Sequence, residues 1–276
     1  MHGSRMPTHD QVTLPPAAVE LPRLSHDRTR GKRMIADECP IALVYDGSTL
    51  AVVMATPADL TDLAIGFSLT EGIVQGIDDI GELNIIPRSN GIELRMWLRP
   101  DRGGLLRERQ RRLVGPTGCG LCGIESLDDA ARISPAVSRG ILLRPGQIGR
   151  AIDALVASQH LNHETHATHA AGFYLPDGGP MISREDVGRH NALDKLAGVL
   201  ARESIRGSSG AVVLTSRVSV EMVQKTAAIG APILIAISAP TALAVRTAER
   251  CGITLVGIAR GREFEIFSHP AGIALY

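Results

Sequence analysis

Apolar positions divide the chain into a polar leader, a stretch of short alternating segments, and a last third of unbroken apolar runs separated by helix-length stripes. Residues 41–45 and 50–54 read as strands, with Asp46-Gly47-Ser48 turning between them. A helix is expected next. Thr56 is placed to cap it, Pro57 suits its first turn, Asp59 lies three residues after the cap, and Leu60, Leu63, Ala64 and Phe67 make one stripe. Asn90-Gly91 joins two further candidate strands near 83–86 and 92–98. A second helix over 147–158 carries Ile148, Ile152, Leu155 and Val156 on one face. The polar segment 160–169 follows, then a candidate strand over 170–175, turned back by Pro176-Asp177-Gly178-Gly179. Residues 191–202 read as a helix with Leu193, Leu196, Ala197 and Leu200 as its stripe.

The last third has the clearest pattern. Apolar runs at 211–215, 232–237 and 253–258 alternate with helical periodicity over 219–229 and 241–250, the first helix ending at Gly230 and the second at Cys251-Gly252. The runs do not alternate with polar residues, as expected of strands covered on both faces. A β-α-β-α-β order predicts parallel strands with right-handed crossovers. The expected fold class is therefore α/β (α+β overall). A smaller α+β portion over 34–145 precedes an α/β domain over 146–276.

Composition narrows this picture. Of the 276 residues 44% are apolar, enough for a sizeable core, but only 3% are aromatic, so that core must be built from Val, Ile, Leu and Ala. Lys plus Arg equals Asp plus Glu, at 29 each, which gives no general surface for nucleic acid or membrane. No apolar stretch approaches the roughly 18 residues of a membrane span. Residues 1–33 are polar and dotted with Arg5, Arg23, Arg28, Arg30, Lys32 and Arg33; they read as a disordered arm rather than a signal peptide. The four cysteines, Cys39, Cys119, Cys122 and Cys251, are too few for a disulfide scaffold in so long a chain. A reducing cytoplasm is the expected setting.

Five segments carry candidate chemistry. In Thr117-Gly118-Cys119-Gly120-Leu121-Cys122-Gly123, three glycines keep the backbone mobile and the sulfurs accessible. The arginines just before it, Arg99, Arg102, Arg107, Arg109, Arg111 and Arg112, would favour a thiolate or persulfide anion there. A second cysteine could resolve or relay a bound sulfur. Zinc binding would need four ligands, and the chain has no second Cys-x-x-Cys. Two unreactive loop cysteines are the plain alternative, and a solvated helical face is the plain alternative for the arginines. His163, His166 and His169 are spaced to gather on one side of a helix, although for His163 and His166 a His-rich polar loop is favoured. The densely charged segment 184–195 places Asp186 and Asp194 where they could orient His190 or the arginines; capping and surface ion pairs are the competing account. Finally, Thr215-Ser216-Arg217, Ser238-Ala239-Pro240-Thr241 and Ala259-Arg260-Gly261-Arg262 fall where parallel strands hand over to the next element. Anionic ligands collect at such junctions.

Taken together and in order, several motifs resemble the formate dehydrogenase accessory sulfurtransferase family, FdhD. They are Gly118-Cys119-Gly120-Leu121-Cys122-Gly123, Thr168-His169-Ala170-Ala171, the run EDVGRHNALDK from Glu185 to Lys195, Glu221-Met222-Val223-Gln224-Lys225, Leu255-Val256-Gly257 and Ser268-His269-Pro270. The resemblance implies a sulfur carrier. It would take sulfane sulfur from a cysteine desulfurase as a cysteine persulfide and pass it to the molybdenum bis(guanine dinucleotide) cofactor of formate dehydrogenase. It implies Cys119 as the persulfide residue and Cys122 as its partner. It also implies Ile258, Ala259, Arg260, Gly261, Arg262 and Glu263 as the stretch binding the guanine end, for which GDP is an analogue. A homodimer and a cytidine-deaminase-like three-layer larger domain with a mixed or parallel sheet are implied as well. The H-x-E and P-C-x-x-C order of a zinc deaminase is absent, so no metal site is expected. Two rival readings are a guanine-nucleotide-binding chaperone without sulfur chemistry and a structural zinc module.

Overall fold

The computed structural model describes residues 13–99 and 136–275. The chain begins with a hairpin, β1 (Ala18–Leu24) and β2 (Arg30–Ala36). A four-stranded sheet follows, built from β3 (Cys39–Tyr45), β4 (Ser48–Ala55), β5 (Ile80–Arg88) and β6 (Gly91–Leu98) in the order β4-β3-β6-β5, with α1 (Leu60–Thr70) against it. β3 and β4 meet through a two-residue turn, Asp46-Gly47, with φ of 47° and 83°. Both central residues at positive φ make the turn that matches the twist of paired strands.

From residue 18 onward the hairpin corrects the expectation of a disordered arm over 1–33; residues 1–12 lie outside the described residues. The Asp27 carboxylate accepts from Thr29 N at 3.0 Å and Arg28 N donates to Ser25 O, closing a tight turn that sets the register Leu24 to Arg30. Many charges obscured a weak alternation.

The larger unit holds α2 (Pro145–Ala157), a short α3 (His160–Thr165), β7 (His169–Tyr174), β8 (Ile182–Asp186) and α4 (Arg189–Arg202). Then come β9 (Ala211–Leu214), α5 (Val220–Ile229), β10 (Ile233–Ala236), α6 (Ala242–Cys251), β11 (Thr254–Arg260) and β12 (Glu263–Ser268). Six strands form one sheet in the order β12-β11-β10-β9-β7-β8, with β9, β10 and β11 parallel as expected and the flanking strands antiparallel. The pleat sorts alternate residues to two cores. Val212, Leu214, Leu234, Ala236 and Leu255 pack on α4, α5 and α6, while Val213, Ile233, Ile235 and Val256 pack on α2. Every residue of β9 and β10 is buried, which explains their unbroken apolar sequences. The expected α/β layering with a smaller α+β unit is present.

The two units meet where α1 crosses α4, and here two glycines are required by contact. A Cβ on Gly66 would lie 1.6 Å from the Asp194 carbonyl oxygen, and one on Gly198 would lie 1.9 Å from that of Asp62. Around this crossing the joint is ionic. Asp186 and Lys195, both fully buried, pair at 2.7 Å. Thr56 was expected to cap α1, yet its groups serve this pair. Its N donates to Asp186 at 3.0 Å, its carbonyl accepts from Lys195 at 3.0 Å, and its hydroxyl oxygen accepts from Val187 N at 3.2 Å. The residue before α1 is instead Asp59, in the left-handed region with no side-chain cap. Asn191 Nδ2 donates to Met54 O at 2.8 Å and to Asp186 at 3.0 Å.

Two further ionic contacts complete the joint. Asp62 accepts from Arg184 and from Arg202, each at 2.8 Å. Lys225 reaches Asp194 at 2.8 Å, Glu71 at 3.0 Å and the Thr70 hydroxyl at 3.0 Å, with its ammonium 5.7 Å from the Phe67 ring centre. Burial works against the Lys225 ammonium, but Asp194 and Glu71 outweigh it and the pKa is pushed up to about 12. Burial also raises the pKa of Asp194, against the opposing pull of Lys225. Two carboxylates share one ammonium, so the cation is the member whose charge is secure.

Two outcomes test this joint. Gly198→Ala should lower the unfolding free energy by about 3 kcal/mol in urea titration, although Ala is the better helix former; a change within about 0.5 kcal/mol contradicts the close crossing. The folded pKa of Lys225 lies above its ordinary 10.5. Its contribution is therefore complete below that pH and is lost as the pH rises toward about 12. The urea midpoint of the natural chain should fall more steeply over that window than that of Lys225→Met; equal slopes contradict the pairing.

Candidate functional site

The carboxyl ends of β9, β10 and β11 define one edge of the larger sheet, and antiparallel pairing brings more residues to it. β7 runs against β9, so its first residue, His169, lies at this edge, opposite Asp186 at the end of β8. α4 starts there at Gly188, α5 at Ser219 and α6 at Thr241. The three junctions expected to face a ligand are thus side by side. Val218 N donates to Ala239 O and Thr241 N to Val218 O, which zips two of the loops together. Thr215 Oγ1 accepts from Ala170 N at 2.9 Å, and Thr241 Oγ1 caps α6 through Ala244 N at 3.2 Å. These two hydroxyls are taken up by structure.

The stretch from Ile258 to Glu263 is the turn between β11 and β12. Arg260, Gly261, Arg262 and Glu263 are exposed, with Arg260 opposite Glu263 in the register, while Ala259 is buried against α2's side of the sheet. Ile258 has φ of 53° beside a break in the β11–β12 register. A β-branched residue in that region is strained by about 1–3 kcal/mol. The bulge swings the chain so that Ile258 N reaches Ser238 O at 3.2 Å. Just before it, a Cβ on Gly257 would meet Pro240 and Phe267 at 3.0 Å, so the β10–α6 loop presses directly on this strand.

Asp186 and Asp194 were candidates for orienting His190 or the arginines. They do something else, since both lie with Lys195 in the joint between the units. The neighbouring Glu185 accepts from Leu161 N, Asn162 N and Thr168 Oγ1, fixing α3. His190 faces Glu221, with Nε2 and Oε2 3.8 Å apart, beyond direct hydrogen-bond distance. Ser219 Oγ, which would otherwise cap α5, donates to the same carboxylate at 2.5 Å. The facing His190 is the largest cause, with help from Ser219, of a Glu221 pKa pushed down to about 2. Burial first, and then Arg189, hold His169 below the ordinary imidazole value. His163 and His166 are exposed on and just after α3, and no metal-ligating cluster exists among the described residues.

Sequence reasoning missed the Glu221–His190 contact and the state of Arg189, whose Nε is buried without a hydrogen-bond partner. Glu221 lies two residues beyond the Ser219 cap, where an acid reads as a dipole partner. Cys119, Cys122 and the arginines from Arg102 to Arg112 lie outside the described residues. Of the other two cysteines, Cys251 is buried, and Cys39 is partly so, with its thiol pKa raised first by burial and then by Asp37. No helix among the described residues is long and apolar enough to cross a membrane.

The model of the FdhD/NarQ family matches residues 36–274. A protein of Agrobacterium fabrum called "Sulfur carrier protein FdhD" is 50% identical over 246 residues, covering 89% of this chain and 91% of its own length. One of the same name from Cupriavidus necator is 50% identical over 236 residues, covering 86% and 82%. A crystal structure from Desulfotalea psychrophila, described as a candidate formate dehydrogenase accessory protein, superposes with a TM-score of 0.74 at 24% identity. It spans 94% of this chain and all of its own, a likeness of fold. With the family model matched across both sheet units and half of the aligned positions identical in curated relatives, the chain belongs to the FdhD/NarQ family.

Proposed function

We propose that this chain is a sulfur carrier. It receives sulfane sulfur from a cysteine desulfurase on Cys119 and delivers it to the molybdenum bis(guanine dinucleotide) cofactor destined for formate dehydrogenase. The observation that carries the reading is the 50% identity, over most of the chain, to proteins called sulfur carriers, in a chain whose sequence has the glycine-rich segment Gly-Cys-Gly-Leu-Cys-Gly.

The chemistry balances with the two cysteines and a cellular thiol reductant. The Cys119 thiolate attacks the terminal sulfur of the donor's persulfide. The donor's S–S bond breaks, the donor leaves as a thiolate, and Cys119 carries the new S–S bond. Release at the sulfide level needs two electrons. The Cys122 thiolate supplies them by attacking the inner sulfur of Cys119, which forms a Cys119–Cys122 disulfide and frees hydrosulfide for the metal. A cellular thiol reductant then reopens the disulfide. The substrate's guanine end is assigned to the turn from Ile258 to Glu263. Exposed Arg260 and Arg262 suit its phosphates there, and the strained Ile258 bulge gives the turn its shape.

Two measurements test the proposal. After incubation with a cysteine desulfurase and cysteine, peptide mass spectrometry should find one added sulfur on Cys119; an equal gain on Cys119→Ala protein overturns the assignment. Under limiting iodoacetamide at mildly alkaline pH, Cys119 and Cys122 should alkylate well before Cys39, whose thiol is held protonated by burial, and before the buried Cys251. Labelling in the opposite order contradicts a reactive pair.

A further inference from the structure

The turn from Ile258 to Glu263 leans on a neighbour. A Cβ placed on Gly149 of α2 would lie 2.6 Å from the Gly261 carbonyl oxygen, so helix and turn touch backbone to backbone. Gly261 has φ of 58°, the left-handed region that glycine adopts freely, and no atom lies within 4 Å of where its own Cβ would be. Glycine weakens a helix relative to Ala, and at Gly149 this contact is the reason for it.

Gly146 has no such reason within the chain. The one atom that a Cβ there would approach is Arg150 Nη1, at 3.6 Å. That atom locates the Arg150 side chain. Residues three and four apart share a face of a helix, so Gly146, Gly149 and Arg150 lie on one face, and the guanidinium folds back over Gly146 beside the turn. Arg150 is exposed and makes no hydrogen bond or ion pair among the described residues; Asp153, three residues further along α2, is not paired with it.

The pleat turns the nearest acid of the turn away from this wall. Ala259 and Phe264 pack into the core beneath α2. Arg260 and Glu263 alternate with them and face each other in the register, so both point to the other side of the sheet. What lies over α2 is the tip of the turn, Gly261 and Arg262, with Arg150 next to it. Arg262, like Arg150, is exposed and has no partner among the described residues. Two unpaired guanidiniums beside bare backbone, with the adjoining carboxylate turned aside, suit a phosphate group, which accepts a forked pair of hydrogen bonds.

We propose that Arg150 is a further substrate-binding residue: the guanosine diphosphate arm lies across the bare surface at Gly146, against the tip of the turn, with Arg150 and Arg262 on its phosphates. The inference rests on the assignment of the turn from Ile258 to Glu263 to the guanine end, and adds α2 as the opposing wall. The missing side chain at Gly146 lets a ligand approach the helix backbone closely. No existing ion pair has to break for Arg150 to engage it.

Calorimetric titration with GDP at low salt tests the assignment. The natural chain should bind GDP, Arg150→Ala should weaken binding roughly tenfold, and Arg150→Lys should recover part of the loss. The thermal midpoint of Arg150→Ala should stay at the natural value, because the side chain has no protein partner to lose. Arg246→Ala removes another exposed arginine, from α6 on the opposite face of the sheet, and should leave GDP affinity unchanged. The two possible failures are distinguishable. If Arg260→Ala/Arg262→Ala weakens GDP while Arg150→Ala does not, or Arg150→Ala weakens it no more than Arg246→Ala, the role of Arg150 is overturned and the assignment of the turn stands. If the natural chain does not bind GDP, or the Arg260/Arg262 variant binds it as tightly as the natural chain, the assignment of the turn is overturned and the role of Arg150 goes with it.

Discussion

Everything at the carboxyl edge depends on the buried joint in which Lys195 and Asp186 pair around Thr56. Two ions removed from water are not a cheap source of stability, since their attraction roughly offsets the loss of hydration. What the pair supplies is position. Either ion alone would be buried and uncompensated, a loss of about 3–5 kcal/mol, so only one seating of the small sheet unit on α4 is tolerated. The bare backbone contact at Gly66 and Gly198 fixes the same seating by shape. Lys225, Asp194 and Glu71 fix it again from α5.

α4 therefore has two roles along its length. Its inner side carries Asn191, Asp194, Lys195 and Gly198 into the joint, while its first turn carries Arg189 and His190 to the sheet edge. This explains why one short segment is so densely charged. It also couples the edge to the smaller unit, because a shift of α4 that broke the Asp186–Lys195 pair would move Arg189 as well.

Much of this was legible in the sequence, and the exceptions share a cause. The β3–β4 turn, the last-third alternation and the covered strands follow from local rules of period and turn chemistry. Thr56 misled because a hydroxyl beside a helix start usually caps it, whereas here its partner Asp186 lies 130 residues away. Asp186 and Asp194 misled in the same way: Arg189 and His190 are near in sequence, but Lys195 and Lys225 are near in space. The hairpin at 18–36 was hidden by charge. Ile258's positive φ and Arg189's missing partner could not be read at all, since strain and unmet hydrogen bonding are properties of the folded surroundings. The cysteine pair was the reverse case, conspicuous as chemistry in the sequence and outside the described residues.

The most direct test of the carrier account is formate dehydrogenase activity in cells that lack this chain and are complemented with variants of it. The natural chain should restore activity, whereas Cys119→Ala, present at equal abundance, should not. Full activity with both Cys119 and Cys122 replaced by Ala would contradict sulfur transfer and leave a protein that only binds.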